Sequence, residues 1–416
     1  MDPLHWRFFT NDFTVSRKIL VALTVLYATS FAWFYLIHSF LLEEIFTSLD
    51  VDASWIYIGK MLFYSSTALS GLIGSMITER VERRRFLWWW IFFGVVTTAS
   101  FAVFRELGFC LALSLSLGIS FGIGFPSCMA FIVECTAIEE RARVFGMSML
   151  LMFIVFILIY YTTYMVLHLG LMELIFLCVA LRAISFISLR LSPTTEIQEK
   201  KVSWLSVFTS RGFILYFFPW LMFNLASGVQ HFLESWLRQF YIFQEVALIG
   251  LLLQYLSMCI FAFTSGFIGD RSGRKNNFIF GLIILGVSYQ VLSLATSPTS
   301  YLLTKIISGI AWGFIAPNLL TVLGDLAATG PKEKFFAVGG LVPLLVPFIF
   351  QWLSKVIFIS INSSLMSSIL GVTLFLSVFP LLYAPETLPE DKVRARRFSE
   401  YLKKVRTLIQ REESEV

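Results

Sequence analysis

The residues best suited to do chemistry in this sequence are charged, and they sit in short breaks between long apolar runs. From Gly266 to Lys275 the chain reads Gly-Phe-Ile-Gly-Asp-Arg-Ser-Gly-Arg-Lys, which sets Asp270 among Arg271, Arg274 and Lys275. One acid among three bases where a helix ends can do electrostatic work. It can pair with Arg274, four residues on, and it can cap the N-terminus of a neighbouring helix. Gly266 permits close helix approach and Gly273 a sharp turn. A related break holds Glu79, Arg80, Arg83 and Arg84, with Ser75 in the place of Gly266 and Glu82 in the place of the turn glycine. Its charge pairing should persist while its turn differs. Glu134 with Arg141 or Arg143, and Asp325 with Lys332 or Lys334, are further acid–base sets at helix ends.

Bond-making chemistry has no such foothold. The histidines His5, His38, His168 and His231 are scattered, and no nucleophile elbow, His-x-x-x-His pair or phosphate loop is present. An enzyme is not expected, nor a cofactor. The five cysteines (Cys110, Cys128, Cys135, Cys178 and Cys259) lie in apolar stretches without metal-ligand spacing. Neither a metal site nor a disulfide is expected.

Polar residues inside the apolar runs are the other candidates. Asn224, Ser227, His231 and Glu234 fall within an arc of about 80° if the segment is helical. Thr24, Tyr27, Ser30 and His38 share an arc of about 120°, with Phe31 and Phe34 between them. Polar stripes on an apolar helix are costly unless they face a cavity or partners. Lys60, on a stripe with Tyr64 and Thr67, needs either an anionic neighbour such as Glu234 or a path for its ammonium to the interface. Arg182 calls for structural pairing, and Lys305 is placed to snorkel.

The elements that must position these groups are membrane spans. The chain has 416 residues, is 57% hydrophobic and 14% charged, and has a mean hydropathy of +0.78. Soluble domains carry about a quarter charged residues. Apolar runs of roughly 20 residues recur about twelve times, each long enough to cross a bilayer. They begin at 19–42 and end at 364–384, and include 86–105, 144–167 and 335–354. The lipid bilayer is therefore one partner, and the aromatic content of 17% suits interfacial belts. The net charge of +5 lies in short loops between spans and does not point to nucleic acid. Basic breaks alternate with the others, which places both termini in the cytoplasm. The polar tail repeats Phe398, Leu402, Val405 and Ile409 among basic residues, a pattern for an amphipathic helix on the membrane surface or for a solvated tail.

The chain also repeats itself. Glu79 and Asp270 stand 191 residues apart, and the same offset relates Gly118 to Gly309, Gly122 to Gly313, Pro126 to Pro317 and Glu134 to Asp325. It relates Arg141 to Lys332, Tyr64 to Tyr255 and Phe121 to Trp312. An all-α membrane protein follows, with twelve transmembrane helices in two pseudo-symmetric six-helix bundles. The expected divisions are a cytoplasmic N-terminus at 1–18, bundles at 19–190 and 212–384, a cytoplasmic linker at 191–211 and a basic tail at 385–416.

The loop at Gly266, Asp270, Arg271, Gly273, Arg274 and Lys275 resembles the Gly-x-x-x-Asp-Arg-x-Gly-Arg-Arg/Lys signature of the major facilitator superfamily. With the span count and the duplication, the resemblance covers about residues 15–390. It implies a secondary transporter that moves a small organic solute by alternating access, with protons as the candidate coupling ion. Multidrug or metabolite export, or a non-transporting receptor of the same fold, is the alternative. It implies a cell-membrane monomer whose two halves latch at the cytoplasmic side through Glu79, Arg80, Arg83, Glu134, Arg141, Gly266, Asp270, Arg271, Gly273, Arg274 and Asp325. It further implies a substrate pathway between the halves. The residues expected there are Tyr27, Ser30, His38, Lys60, Tyr64, Phe121, Asn224, Ser227, His231, Glu234, Tyr255 and Trp312. Span twelve ends in Pro385-Glu386-Thr387, which hints at the sugar branch, but span ten lacks that branch's Gly-Pro-x-x-Trp pattern, so no sugar is assigned.

Overall fold

A computed structural model describes residues 13–78, 81–163, 169–191, 204–237, 246–295, 297–327, 332–346 and 363–389, with residues 398, 402 and 405 of the tail. Among the described residues the regular structure is helical, with no strand. Helix α1 (Arg17–Leu36) starts where Ser16 Oγ accepts from the Ile19 amide at 3.4 Å. It runs on through a π turn, Ile37–Leu41, into Leu42–Thr47. Then follow α2 (Ala53–Ile77), α3 (Arg83–Ser100), α4 (Leu107–Glu134), α5 (Arg141–Tyr161) and α6 (Leu171–Leu191). After a short helix, Trp204–Thr209, come α7 (Arg211–Leu237), α8 (Ala247–Ser272), α9 (Arg274–Ser293) and α10 (Pro298–Leu326). Helix α11 begins at Lys332–Phe336 and continues through a π turn, Ala337–Leu341, and a 3₁₀ turn, Val342–Leu344; α12 is Ser363–Leu382.

The helices fall where the apolar runs predict them, with informative differences. Helix α3 ends at Ser100 rather than 105: a turn follows at residues 101–103, and Val103 to Arg105 are exposed. Helix α5 is α-helical to Tyr161 and passes into a π turn at Thr162 and Thr163; the rest of the expected run, from 164 to 167, lies outside the described residues. The run 335–354 lies beyond the described residues from 347 onward. Nine helices among the described residues are long and apolar enough to cross a membrane by length and composition. Helices α2 and α3 are not among the nine. Helix α2 is diluted by Lys60 and a run of hydroxyl and glycine residues, and α3 opens on three arginines. Their hydroxyls are satisfied within the helix: Ser66 and Thr67 donate to the Phe63 carbonyl, and Thr98 donates to Gly94.

The two halves share a packing scheme. In the first, α2 packs on α4, α1 on α5 and α6, and α3 on α4 and α6; in the second, α8 packs on α10, and α9 on α10 and α12. Matching glycines set the tightest contacts. A methyl added at Gly118 would meet the Phe63 carbonyl carbon at 2.9 Å, and one at Gly309 the Gln254 carbonyl carbon at 3.1 Å. Phe63 and Gln254 are themselves 191 residues apart, so one close approach is built twice. Pro126 and Pro317 interrupt α4 and α10 at equivalent depth. Between halves, α5 packs on α8 and α10, while α11 packs on α2 and α4. Gly146 of α5 faces Ala262 and Gly266 of α8. Large side chains such as Trp89, Phe176 and Leu376 are exposed on the outside, as a lipid-facing surface requires.

Candidate functional site

Helices α1, α3, α5, α9 and α11 begin at the same end of the molecule, and their first residues are basic. At this basic end the charged residues of the breaks come together. Asp270, in the last turn of α8, is buried. Its carboxylate accepts from the backbone amides of Ala142 (3.2 Å) and Arg143 (2.9 Å), capping α5 of the other half. It also accepts from Arg143 Nε at 3.3 Å and Arg274 Nη2 at 3.2 Å. The next residues turn sharply at Gly273, whose φ of 102° suits glycine.

The remaining ion pairs repeat across the two halves. Arg83 binds Glu134, and its equivalent Arg274 binds Asp325. Arg141 Nη1 reaches Asp325 across the divide at 2.8 Å, and its equivalent Lys332 reaches Glu134 at 3.5 Å. Each acid therefore holds one base from its own half and one from the other. Glu134 and Asp325 carboxylates are each 1% exposed, so the pairing is largely desolvated. Arg83 also binds Glu333 of α11. The guanidinium of Arg143 lies between the rings of Phe13 (4.8 Å) and Phe267 (5.9 Å), and Thr14 donates to Glu140 from both its amide and its hydroxyl at 2.9 Å. Arg271 is exposed. Glu79 and Arg80 lie outside the described residues.

Several members of this network were not singled out from sequence. Glu333 sits between two lysines and reads as a solvated loop acid. Glu386 accepts from the amides of Arg274 (3.0 Å) and Lys275 (3.2 Å), capping α9, and Thr387 Oγ1 donates to Asp325 at 3.0 Å. The Pro-Glu-Thr ending of α12 was the available signal. It marks a folded corner, held also by Lys275 Nζ on the Leu382 and Ala384 carbonyls, both at 2.9 Å.

Deeper in the molecule, aromatic residues of both halves converge. Tyr27 is buried and stacks on Phe31 at 4.2 Å. Phe121 of α4 stacks on Phe34 at 4.1 Å. His38, half-buried in the π turn, lies 5.6 Å from both Tyr35 and Tyr64. Tyr255 of α8 crosses the divide to Phe156 (4.8 Å) and Phe153 (6.0 Å) of α5. A second cluster belongs to the other half. There Trp312 meets Phe223 at 4.3 Å, and Asn224 Nδ2 donates to the Trp220 carbonyl at 2.8 Å. Ser227 Oγ, on the same stripe, is buried without a hydrogen-bond partner among the described residues. The side chains of His231 and Glu234 lie outside the described residues.

Two of the expected residues have partners of their own, and one expectation is corrected. The Ser30 hydroxyl accepts from Arg182 of α6 at 2.6 Å. Lys60 pairs with Glu43 at 2.9 Å, because the end of α1 brings that carboxylate alongside, and the side chains are 20% and 57% exposed. Glu43 thus supplies the partner for which Glu234 was considered. Lys305 does not snorkel: it is buried, with Nζ 3.2 Å from Gln254 Oε1 and over the Tyr301 ring at 5.6 Å.

Against known proteins, residues 19–334 match the family model described as Major Facilitator Superfamily. Over 79 residues the chain is 34% identical to "Multidrug resistance protein 2" of Bacillus subtilis (strain 168); the match spans 18% of this chain and 19% of that protein's length. Among solved structures, the human organic anion transporter MFSD10 (TETRAN) superposes with a TM-score of 0.69 at 14% identity, over 88% of this chain and 99% of that one. The proton:xylose symporter XylE, bound to 6-bromo-6-deoxy-D-glucose, superposes with a TM-score of 0.69 at 14% identity, over 89% and 96% of the two chains. At such identities these two structures share the fold.

Proposed function

The chain belongs to the Major Facilitator Superfamily, and on that premise we propose that it is a secondary transporter moving a small organic solute by alternating access. The observation that carries this reading is the doubled pairing of Glu134 and Asp325. Across the divide they hold Lys332 and Arg141; within their own halves they hold Arg83 and Arg274. When the halves part, neither acid is left bare. A buried carboxylate stripped of its only partner would cost about 3–5 kcal/mol. Keeping one base lowers that cost and lets the contact act as a two-position latch.

In this reading the basic end faces the cytoplasm of a cell membrane, and the described arrangement is closed on that side. The halves, 19–190 and 212–384, rock about the α5–α8 and α2–α11 contacts. The latch consists of Glu79, Arg80, Arg83, Glu134, Arg141, Gly266, Asp270, Arg271, Gly273, Arg274 and Asp325, joined by Arg143, Lys332 and Glu333. The solute passes the aromatic residues Tyr27, Tyr64, Phe121, Tyr255 and Trp312, with His38, Asn224, Ser227, His231 and Glu234 offering polar contacts. His38, His231 and Glu234 are the groups that would titrate if protons drive the cycle. The stretch of likeness to a multidrug resistance protein favours export of varied solutes as the second reading.

Purified protein, expected as a monomer, is screened by thermal shift against metabolite and drug panels. Each hit is then followed by counterflow in proteoliposomes. The proposal expects at least one solute that stabilises the protein and exchanges faster than in empty liposomes. Stabilisation without exchange would instead mark a receptor that keeps the fold.

A further inference from the structure

Arg182 of α6 is fully buried within a membrane-spanning helix, and its surroundings are neutral. Nη1 donates to Ser30 Oγ at 2.6 Å and Nη2 to the Trp90 carbonyl at 3.5 Å. The guanidinium carbon lies 3.9 Å from the Trp90 ring centroid and 4.8 Å from that of Trp33. Nε has no hydrogen-bond partner, and no carboxylate pairs with the side chain among the described residues. Both indoles are themselves fixed: Trp33 Nε1 donates to Thr98 Oγ1 at 3.1 Å, and Trp90 Nε1 to the Phe121 carbonyl at 3.2 Å. Gly94 supplies the room, since a methyl there would stand 2.8 Å from Nε.

Rings, a hydroxyl and a carbonyl solvate a cation without cancelling it. Arginine cannot shed its proton in a protein. The first half therefore keeps a net positive charge directly behind α1. Ser30 adjoins Phe31 in sequence and lies one turn from Tyr27 and Phe34, which form the aromatic cluster with Phe121. An intramembrane ionisable group is costly, so its field should serve the site beside it. From the guanidinium to the far side of α1 is about one helix diameter, ~10 Å. At an effective dielectric of about 20, a unit anion there gains roughly tenfold in affinity.

We propose that Arg182 makes the central site select anionic organic solutes, acting through space from behind α1 rather than by contact. This rests on the transport reading above and names its substrate class. The test uses three series of the same shape: aryl-alkyl carboxylates, their neutral amides and their trimethylammonium counterparts. Affinities are measured on purified full-length protein by thermal shift and tryptophan quenching. The expected result is that carboxylates bind about tenfold more tightly than the amides, with the ammonium series weakest. Arg182→Met keeps the stem's volume and should cut carboxylate affinity about tenfold while leaving the amides unchanged. Arg182→Lys retains the charge and should retain the preference, which serves if the methionine variant does not fold. Tightest binding by the ammonium series, or an equal loss for carboxylates and amides in Arg182→Met, would overturn the proposal. If other solutes bind and none of the carboxylates does, the anion class is refuted while transport stands. If no solute of any kind binds, the transport reading fails as well.

Discussion

Asp270→Asn removes one charge from the centre of the basic-end network and leaves the side chain's shape. The carboxylate accepts three hydrogen bonds from the other half, at 3.2, 2.9 and 3.3 Å, and one from Arg274 of its own half. A bond to a charged group contributes about 1 kcal/mol more than a neutral one, so the three cross-half bonds lose about 3 kcal/mol together. Closing the end also desolvates the carboxylate, a cost the amide largely avoids. The net effect on closure is then about 2 kcal/mol, which moves the closed-to-open ratio by about 30-fold. Labelling of a single cysteine, Val133→Cys, in a background with the native cysteines replaced by serine, reads that ratio. Val133 is fully buried on α4 against Gly324 of α10, across the divide. A membrane-impermeant maleimide should react about 30-fold faster when Asp270→Asn is added. An unchanged rate in folded protein would refute the assignment of Asp270 to the closure.

Lys60→Met should transport at near the wild-type rate and lose at most about 1 kcal/mol of stability, because its pair with Glu43 is partly exposed; a melting curve and a solute-uptake assay check both. Gly118→Ala should lower Tm, since the methyl meets a backbone carbonyl that cannot yield, at a cost of about 1–3 kcal/mol. Gly108→Ala, with open space at that position, should leave Tm unchanged. Glu386→Gln should weaken the α9 cap by about 1 kcal/mol. Faster proteolysis at the α8–α9 turn would report it.

The basic end was largely legible because its chemistry is local. Acid, base and turn glycine at fixed spacing define Gly266–Lys275, and the 191-residue offset carries the pattern to Glu134, Asp325, Arg141 and Lys332. What sequence could not supply was the exchange of partners between halves. That depends on how two surfaces meet, so Glu333 was not singled out and Glu386 entered only as part of the Pro-Glu-Thr ending. Inside the membrane the failures share one cause. A helical arc gives the direction of a side chain but not its neighbour. Ser30 and Phe31 are adjacent, yet one meets Arg182 and the other the aromatic cluster. The π turn at Ile37–Leu41 adds to this, because it shifts the helical phase and the face of His38 no longer follows from 100° per residue. Lys305 read as a snorkelling cation because Gln254 of α8, which meets its ammonium, approaches only in the folded chain, whereas Tyr301 lies one turn away on the same helix.

Alternating access itself is tested most directly by paired spin-label distances at the two ends. Labels at Glu82→Cys and Ser272→Cys, exposed residues of the two halves, span the basic end; Thr47→Cys and Thr299→Cys span the opposite end. Distances are measured in otherwise wild-type protein and with Glu134→Gln and Asp325→Asn added. The account predicts that the double substitution lengthens the 82–272 distance and shortens the 47–299 distance in the same population. A basic end that opens while the opposite end stays fixed, or two ends that open together, would contradict it.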